Sequence, residues 1–239
     1  NNLEEPIIVS HESQRFIVAE QMREINIHPK SIILEPFGRN TAPAIAIGAL
    51  KAMENKTDPI LLILSSDHEI KNSKLFRNAV TFGLEDAFNG YLVTLGTIPQ
   101  FPSTGYGYIK TKDKYIESKS KSIPISQFIE KPNLKIAKEL VKNQNIFWNS
   151  GIFIFKASSI LEEFEKYSPK LLNTCKETLS KSKVDFDFQR LNKKSFEKCE
   201  NISIDFAIME KTDKGRLIPF DAGWSDIGSW DSLWKSENK

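Results

Sequence analysis

The sequence predicts an α/β protein built on a mainly parallel central sheet, and three observations carry that prediction. Ile60 to Leu64 are five apolar residues in a row, bounded by Pro59 and Ser65, the pattern of a strand covered on both faces. An amphipathic stretch from Lys74 to Phe88 places Phe76, Ala79, Val80, Phe82, Gly83 and Ala87 at helical spacing, and a second apolar strand, Tyr91 to Gly96, follows it. The same order opens the chain: Ile7 to Val9, a helical pattern from Ser13 to Glu24, then Ser31 to Leu34. Strand, helix, strand repeated in this way favours parallel pairing through crossover helices.

Composition narrows the class further. The 239 residues, 40% of them hydrophobic, suffice for one α/β domain or two small ones. A formal charge of +2, from 33 basic against 31 acidic residues, gives no footprint for nucleic acid, and the lysines are mostly scattered among acids. Cys175 and Cys199 have neither metal-site nor redox-motif spacing, so the reading is a reducing, cytoplasmic setting. His11, His28 and His68 are too dispersed for a histidine metal site, and no apolar run is long enough to span a membrane.

The chemistry-bearing residues fall at the ends of the predicted strands. Ser65, Ser66, Asp67 and His68 lie where the Ile60 strand leaves the sheet, so Asp67 either projects into a binding crevice or caps the next helix. Glu35 and Pro36 end the strand from Ser31. Gly38, Asn40 and Thr41 then form a turn before a helix with Pro43 in its first turn, which is either a site for an anion or nucleotide or an ordinary capped helix. In TGYGYI, Gly105 and Gly107 allow a close backbone approach. Lys110 to Ser122 reads as an exposed loop, and FIEKP as a strand ending in Glu130 and Lys131. A helix from Leu134 to Val141 follows, and FWNSGIFIF reads as a buried strand entered through a polar turn. Lys181 to Glu200 reads as a variable surface excursion. SIDFAIMEK reads as a helix with Asp205 at its cap, Leu217 to Pro219 as a short strand, and GWSDIGSW as a turn presenting Asp226.

GRNTAPAI, LSSDH, TGYGYI, FIEKP, WNSGIF, SIDFAIMEK and GWSDIGSW occur in the order and at about the spacing of the sugar-phosphate nucleotidyltransferases. The chain resembles the mannose-1-phosphate guanylyltransferases among them, from Pro6 to Trp234. The resemblance implies a Rossmann-like three-layer nucleotidyltransferase fold over residues 1–239, read as a catalytic domain that lacks the family's first strand and glycine-rich loop. It also implies the reaction of GTP with mannose 1-phosphate, assisted by Mg2+, and allows a homodimer. Asp67 and Asp226 are then the expected metal ligands. Lys131 is expected on the sugar's phosphate, and Glu130, Asn149, Gly105 and Tyr106 on the sugar. Asn40, Thr41 and Ser66 are expected to bind the nucleotide. Glu35 is assigned to guanine on chemical grounds: a carboxylate accepts both N1–H and N2–H of that base. The alternatives are a nucleotidyltransferase for another sugar or base, or a non-catalytic relative that binds sugar nucleotides.

Overall fold

The computed structural model describes residues 3–54, 56–113 and 122–227. Within these, the strands are β1 (Ile7–His11), β2 (Ser31–Glu35), β3 (Ile60–Ile63), β4 (His68–Ile70), β5 (Leu92–Thr97), β6 (Tyr108–Thr111), β7 (Ile123–Ile129), β8 (Ile146–Lys156), β9 (Lys183–Asp185), β10 (Phe188–Arg190), β11 (Gly215–Pro219) and β12 (Trp224–Asp226). The helices are α1 (Arg15–Glu24), α2 (Thr41–Ala52), α3 (Ser73–Phe88), α4 (Leu134–Leu140), α5 (Ala157–Tyr167), α6 (Pro169–Ser180) and α7 (Lys193–Phe196). The chain divides into two compact units, residues 1–59 with 160–208, and residues 60–159 with 209 onward.

The first unit has a four-stranded sheet in the order β1-β2-β10-β9. β1 and β2 pair in parallel across the crossover helix α1, in register from Ile7 opposite Ser31 to His11 opposite Glu35. Ile32, Ile33, Leu34 and Glu35 are all buried, so this strand is the spine of the unit and delivers Glu35 at its end. The segment expected to be a surface excursion is instead structural. β9 turns back antiparallel into β10, which adds to β2 in parallel, while Phe196 and Cys199 are buried. Lysine-rich composition hid short apolar insertions that pack inward.

The second unit has a six-stranded sheet, β3-β8-β5-β11-β7-β6. β3, β5, β6 and β11 run one way and β7 and β8 the other, which makes the sheet mixed. β3 departs from expectation: it pairs with antiparallel β8 and stands at the edge of the sheet with its four residues half-buried. An apolar run reads alike in either pairing, so strand direction was not in the pattern. The helix α3 lies on this sheet, contributing Ala79 and Ala87 to a core with Val93, Leu95, Ile152, Ile154, Ile218 and Phe220. Phe82 faces solvent instead.

Two further corrections concern the site. FIEKP is a strand only in its first two residues; β7 starts earlier, at Ile123, and ends at Ile129, leaving Glu130 to Pro132 beyond it. WNSG is not an entry turn either. β8 runs through it from Ile146 to Lys156, with Gly151 at φ +70°, a left-handed backbone that glycine adopts without strain. Most of the expected Lys110–Ser122 loop, and Trp230 and Trp234, lie outside the described residues.

Candidate active site

The two aspartates that sequence spacing could not connect are joined by a short ladder. β4 and β12 pair antiparallel, with Asp226 opposite His68 and Trp224 opposite Ile70. One step on, Ile227 N–H donates to the Asp67 carbonyl oxygen at 2.8 Å. Asp67 lies in the turn after β3, its side chain 58% exposed. It does not cap α3, because Asn72 Oδ1 takes the Leu75 N–H at that helix start.

His68 sits between the acids, its Nε2 3.9 Å from Asp67 Oδ1. Burial pushes the His68 pKa down while Asp67 and Asp226 pull it up, and burial is the larger effect. No group of three or more His, Cys, Asp or Glu suited to a metal occurs among the described residues. A cation at the expected ligands Asp67 and Asp226 would need further oxygens from water and substrate, a ligand set that magnesium accepts. The donor set fits that ion.

Beside this ladder runs an aromatic wall. Trp224 meets His68 edge-on with ring centres 5.4 Å apart, Tyr106 lies 5.6 Å from Trp224 and 5.0 Å from Trp148, and Phe101 is 4.8 Å from Trp148. The buried indole Nε1 atoms of Trp148 and Trp224, and His68 Nδ1, have no hydrogen-bond partner among the described residues. Unpaired buried polar groups are costly, so three of them along one wall favour a polar ligand there. Asn149 is buried below the wall. Its Oδ1 accepts from Thr94 Oγ1 at 3.0 Å and from Gly151 N–H at 3.2 Å, and its own N–H donates to the Gly107 carbonyl.

A regular strand would put Glu130 and Lys131 on opposite faces. The bend is at Lys131 itself, whose φ is +44°, and it brings Nζ to 3.5 Å from Glu130 Oε1. A left-handed residue before proline is strained, and strain of this kind persists where the surroundings fix it. Glu210 does part of that fixing by accepting the Glu130 N–H at 3.2 Å. The pair is asymmetric, with Glu130 only 8% exposed and Lys131 63% exposed, so the lysine head is presented to solvent above an inward carboxylate. Gly105 is exposed, and its N–H donates to Ser103 Oγ.

Gly107 leaves room for Glu130. A Cβ there would lie 2.5 Å from Glu130 Oε2, 3.3 Å from Phe128 Cε1 and 3.4 Å from Asn149 Cβ. On the expected assignment of Glu130 to the sugar, the result for Gly107→Ala is a folded protein, since a carboxylate end can swing away, with the KM for the sugar phosphate raised about tenfold and that for the nucleotide unchanged. Steady-state kinetics with each substrate varied in turn checks this.

In the first unit, Glu35 is 8% exposed and its buried Oε1 has no hydrogen-bond partner among the described residues. Burial alone pushes its pKa up to about 7. Asn40, with φ +67°, caps α2 by accepting the Thr41 N–H on Oδ1 at 2.9 Å. Thr41 Oγ1 accepts the Ile204 N–H, and Ala42 N–H donates to the Ile202 carbonyl. The expected free N–H groups at this helix start are thus largely used, because Pro43 has none to offer. Ser66 is exposed beside Asp67, in the second unit. Sequence reasoning missed Glu210, His68 and Trp148 as candidates. Glu210 had a visible signal, since it closes the motif SIDFAIMEK; Ser203, not Asp205, caps that segment by accepting the Phe206 N–H.

The fold is α/β, with a mixed six-stranded sheet packed against a helix. The family model described as Nucleotidyl transferase matches residues 1–239, and the chain belongs to that family. It is 46% identical over 237 residues to mannose-1-phosphate guanylyltransferase 2 of Escherichia coli O157:H7, covering 97% of this chain and 49% of that protein. It is 44% identical over 235 residues to the mannose-1-phosphate guanylyltransferase of Escherichia coli K12, with coverage of 97% and 49%. The chain thus spans about half the length of the curated relatives it matches. Among solved structures, one described as mannose-6-phosphate isomerase from Helicobacter pylori superposes with a TM-score of 0.85 at 32% identity, covering 94% of this chain and 86% of that one. Another, described as mannose-1-phosphate geranyltransferase from Thermus thermophilus, gives 0.80 at 26% identity, with coverage of 98% and 64%.

Proposed function

We propose that the chain carries out guanylyl transfer from GTP to mannose 1-phosphate, releasing pyrophosphate and forming GDP-mannose. The observation that carries this reading is the β4–β12 ladder, which pairs Asp226 with His68, the neighbour of Asp67. The names of the relatives support the choice of substrates.

The reaction asks little of acid–base chemistry. A sugar phosphate is already an oxyanion at neutral pH, so one of its oxygens attacks the α-phosphorus of GTP without a general base, and the bond from that phosphorus to the bridging oxygen of the leaving pyrophosphate breaks. Alignment and charge are the difficulties. Asp67 and Asp226 hold the cation, and magnesium supplies the positive charge that stabilises the phosphoryl oxygens when bound. Lys131 holds the sugar's phosphate with its exposed ammonium, and inward-turned Glu130 accepts from sugar hydroxyls. Tyr106 and Asn149 frame the sugar, with Gly105 giving room. Glu35 accepts from guanine, and Asn40, Thr41 and Ser66 contribute polar contacts to the nucleotide. The two free, buried thiols fit a cytoplasmic protein.

Pyrophosphate release with magnesium, tested with each of the four nucleoside triphosphates and with mannose 1-phosphate or glucose 1-phosphate, decides the reading. Release that requires GTP and mannose 1-phosphate is expected. Release with a different pair overturns the substrate assignment, and release with none overturns the activity.

A further inference from the structure

We infer that Cys175 and Cys199 are an oxidisable dithiol, and that closing it to a disulfide loosens the Phe37–Ala42 segment. Both thiols are free and buried, 0% and 4% exposed, yet their sulfurs lie 3.8 Å apart although the residues are 24 positions apart in sequence. Cys175 is held in α6, which packs against α2. Cys199 is in the turn after α7, a thinner piece of chain, and that piece grips the segment between β2 and α2 at four points. Arg39 Nη2 donates to the Glu197 carbonyl at 2.8 Å, and the Phe37 ring stacks on Phe196 with centres 6.0 Å apart. Ala42 N–H donates to the Ile202 carbonyl, and Ile204 N–H donates to Thr41 Oγ1.

The chemistry needs a hydroperoxide and nothing else. The two sulfurs share a hydrogen bond, and with Arg39 near Cys199 the Cys199 thiol is pushed down and the Cys175 thiol up, so Cys199 is the better thiolate of the two. The Cys199 thiolate attacks the terminal oxygen of the hydroperoxide, the O–O bond breaks, and the alkoxide or hydroxide leaves and takes up a proton. Cys199 is then a sulfenic acid. The Cys175 sulfur attacks the Cys199 sulfur, its proton goes to the departing oxygen, and water leaves. Two thiols are oxidised by two electrons and one hydroperoxide is reduced to an alcohol, or to water, with water as the second product. A disulfide requires its sulfurs about 2.05 Å apart, so from 3.8 Å they must close by roughly 1.8 Å. In a close-packed interior that shift is not absorbed in place. The turn carrying Cys199 moves toward α6, and the four ties to Phe37–Ala42 move with it.

This inference rests on the reading of Asn40 and Thr41 as nucleotide contacts for its effect on binding, though not for the disulfide itself. The 239-residue chain is treated with hydrogen peroxide, then divided, with half returned to dithiothreitol. Expected are a mass loss of about 2 Da, a peptide linking Cys175 to Cys199, a GTP affinity at least tenfold weaker and recovery with dithiothreitol. Faster amide exchange across Phe37–Ala42 is also expected in the oxidised half. Cys175→Ala and Cys199→Ser, made separately, should each abolish the response to peroxide while binding GTP as the reduced protein does. Absence of the linked peptide overturns the inference, as does a disulfide form with unchanged exchange at Phe37–Ala42. If the reduced chain fails to bind GTP, it is the proposed function that falls, and the exchange measurement still decides the dithiol.

Discussion

Replacing Asp226 by Asn lowers the rate of pyrophosphate release by about a hundred- to a thousandfold, the range seen when one preorganised charge-stabilising group is lost at a phosphoryl or acyl transfer site. Asp67→Asn has an effect of the same size. The reason lies in the ladder: Asp226 faces His68, and Ile227 N–H is bonded to the Asp67 carbonyl, so the backbones of the two acids are tied together where the proposed function needs them to hold one cation. Asparagine keeps the size of the side chain and leaves the backbone pairing of Trp224, Ser225 and residue 226 with β4 intact. The substitution therefore removes charge and spares the fold, and thermal unfolding should shift by no more than about 1 kcal/mol in either direction. Residues that hold one ion act as a unit, so the double variant should be little worse than the poorer single one. Rates for the two singles and the double, at several magnesium concentrations, check this. Single variants that stay within threefold of the parent would remove the pair from the site, and multiplicative losses in the double would mean that the two carboxylates act separately.

How much of this was legible beforehand depended on the range of the interaction. Local signals were reliable: the alternation of strand and helix gave the class, Pro43 marked the start of α2, and motif order pointed to the family. The failures share a cause. The apolar run of β3 says that the strand packs, but not that its neighbour β8 runs antiparallel, because direction is set by the partner. The joining of Asp67 to Asp226 needs residues more than 150 positions apart to pair, and neither β4 nor β12 exceeds three residues, too short for a periodic pattern. Lys131 reads as an ordinary strand residue; only the fold shows its left-handed backbone and the Glu210 bond behind it. Burial of Glu35 was equally hidden, since a glutamate ending a strand is usually solvated.

That burial gives Glu35→Gln a double consequence. In the folded protein burial raises the carboxyl from the usual 4.5 to about 7. Below pH 4.5 the folded and unfolded states both hold the proton and Glu35 contributes no difference. Between 4.5 and 7 the unfolded chain has lost the proton that the folded one keeps, so stability falls as pH rises, by about 1.4 kcal/mol per unit. Above 7 the loss levels off at about 3 kcal/mol. Glutamine carries no such charge, so Glu35→Gln should raise the unfolding midpoint at pH 8 and leave it unchanged at pH 4.5. For recognition the substitution works the other way. Guanine offers two donors, and the amide offers one acceptor and a competing donor. The ratio of GTP to ATP affinity should therefore fall about ten- to a hundredfold, matching roughly 1–3 kcal/mol for an unpaired buried donor. In the parent protein that ratio should itself rise about tenfold from pH 6 to pH 8, as the Glu35 carboxyl ionises; taking the ratio cancels the titration of the triphosphates. In Glu35→Gln it should be flat. A stabilised variant with unchanged base preference would keep the buried carboxyl but take guanine away from it, and a parent ratio that does not move with pH would do the same.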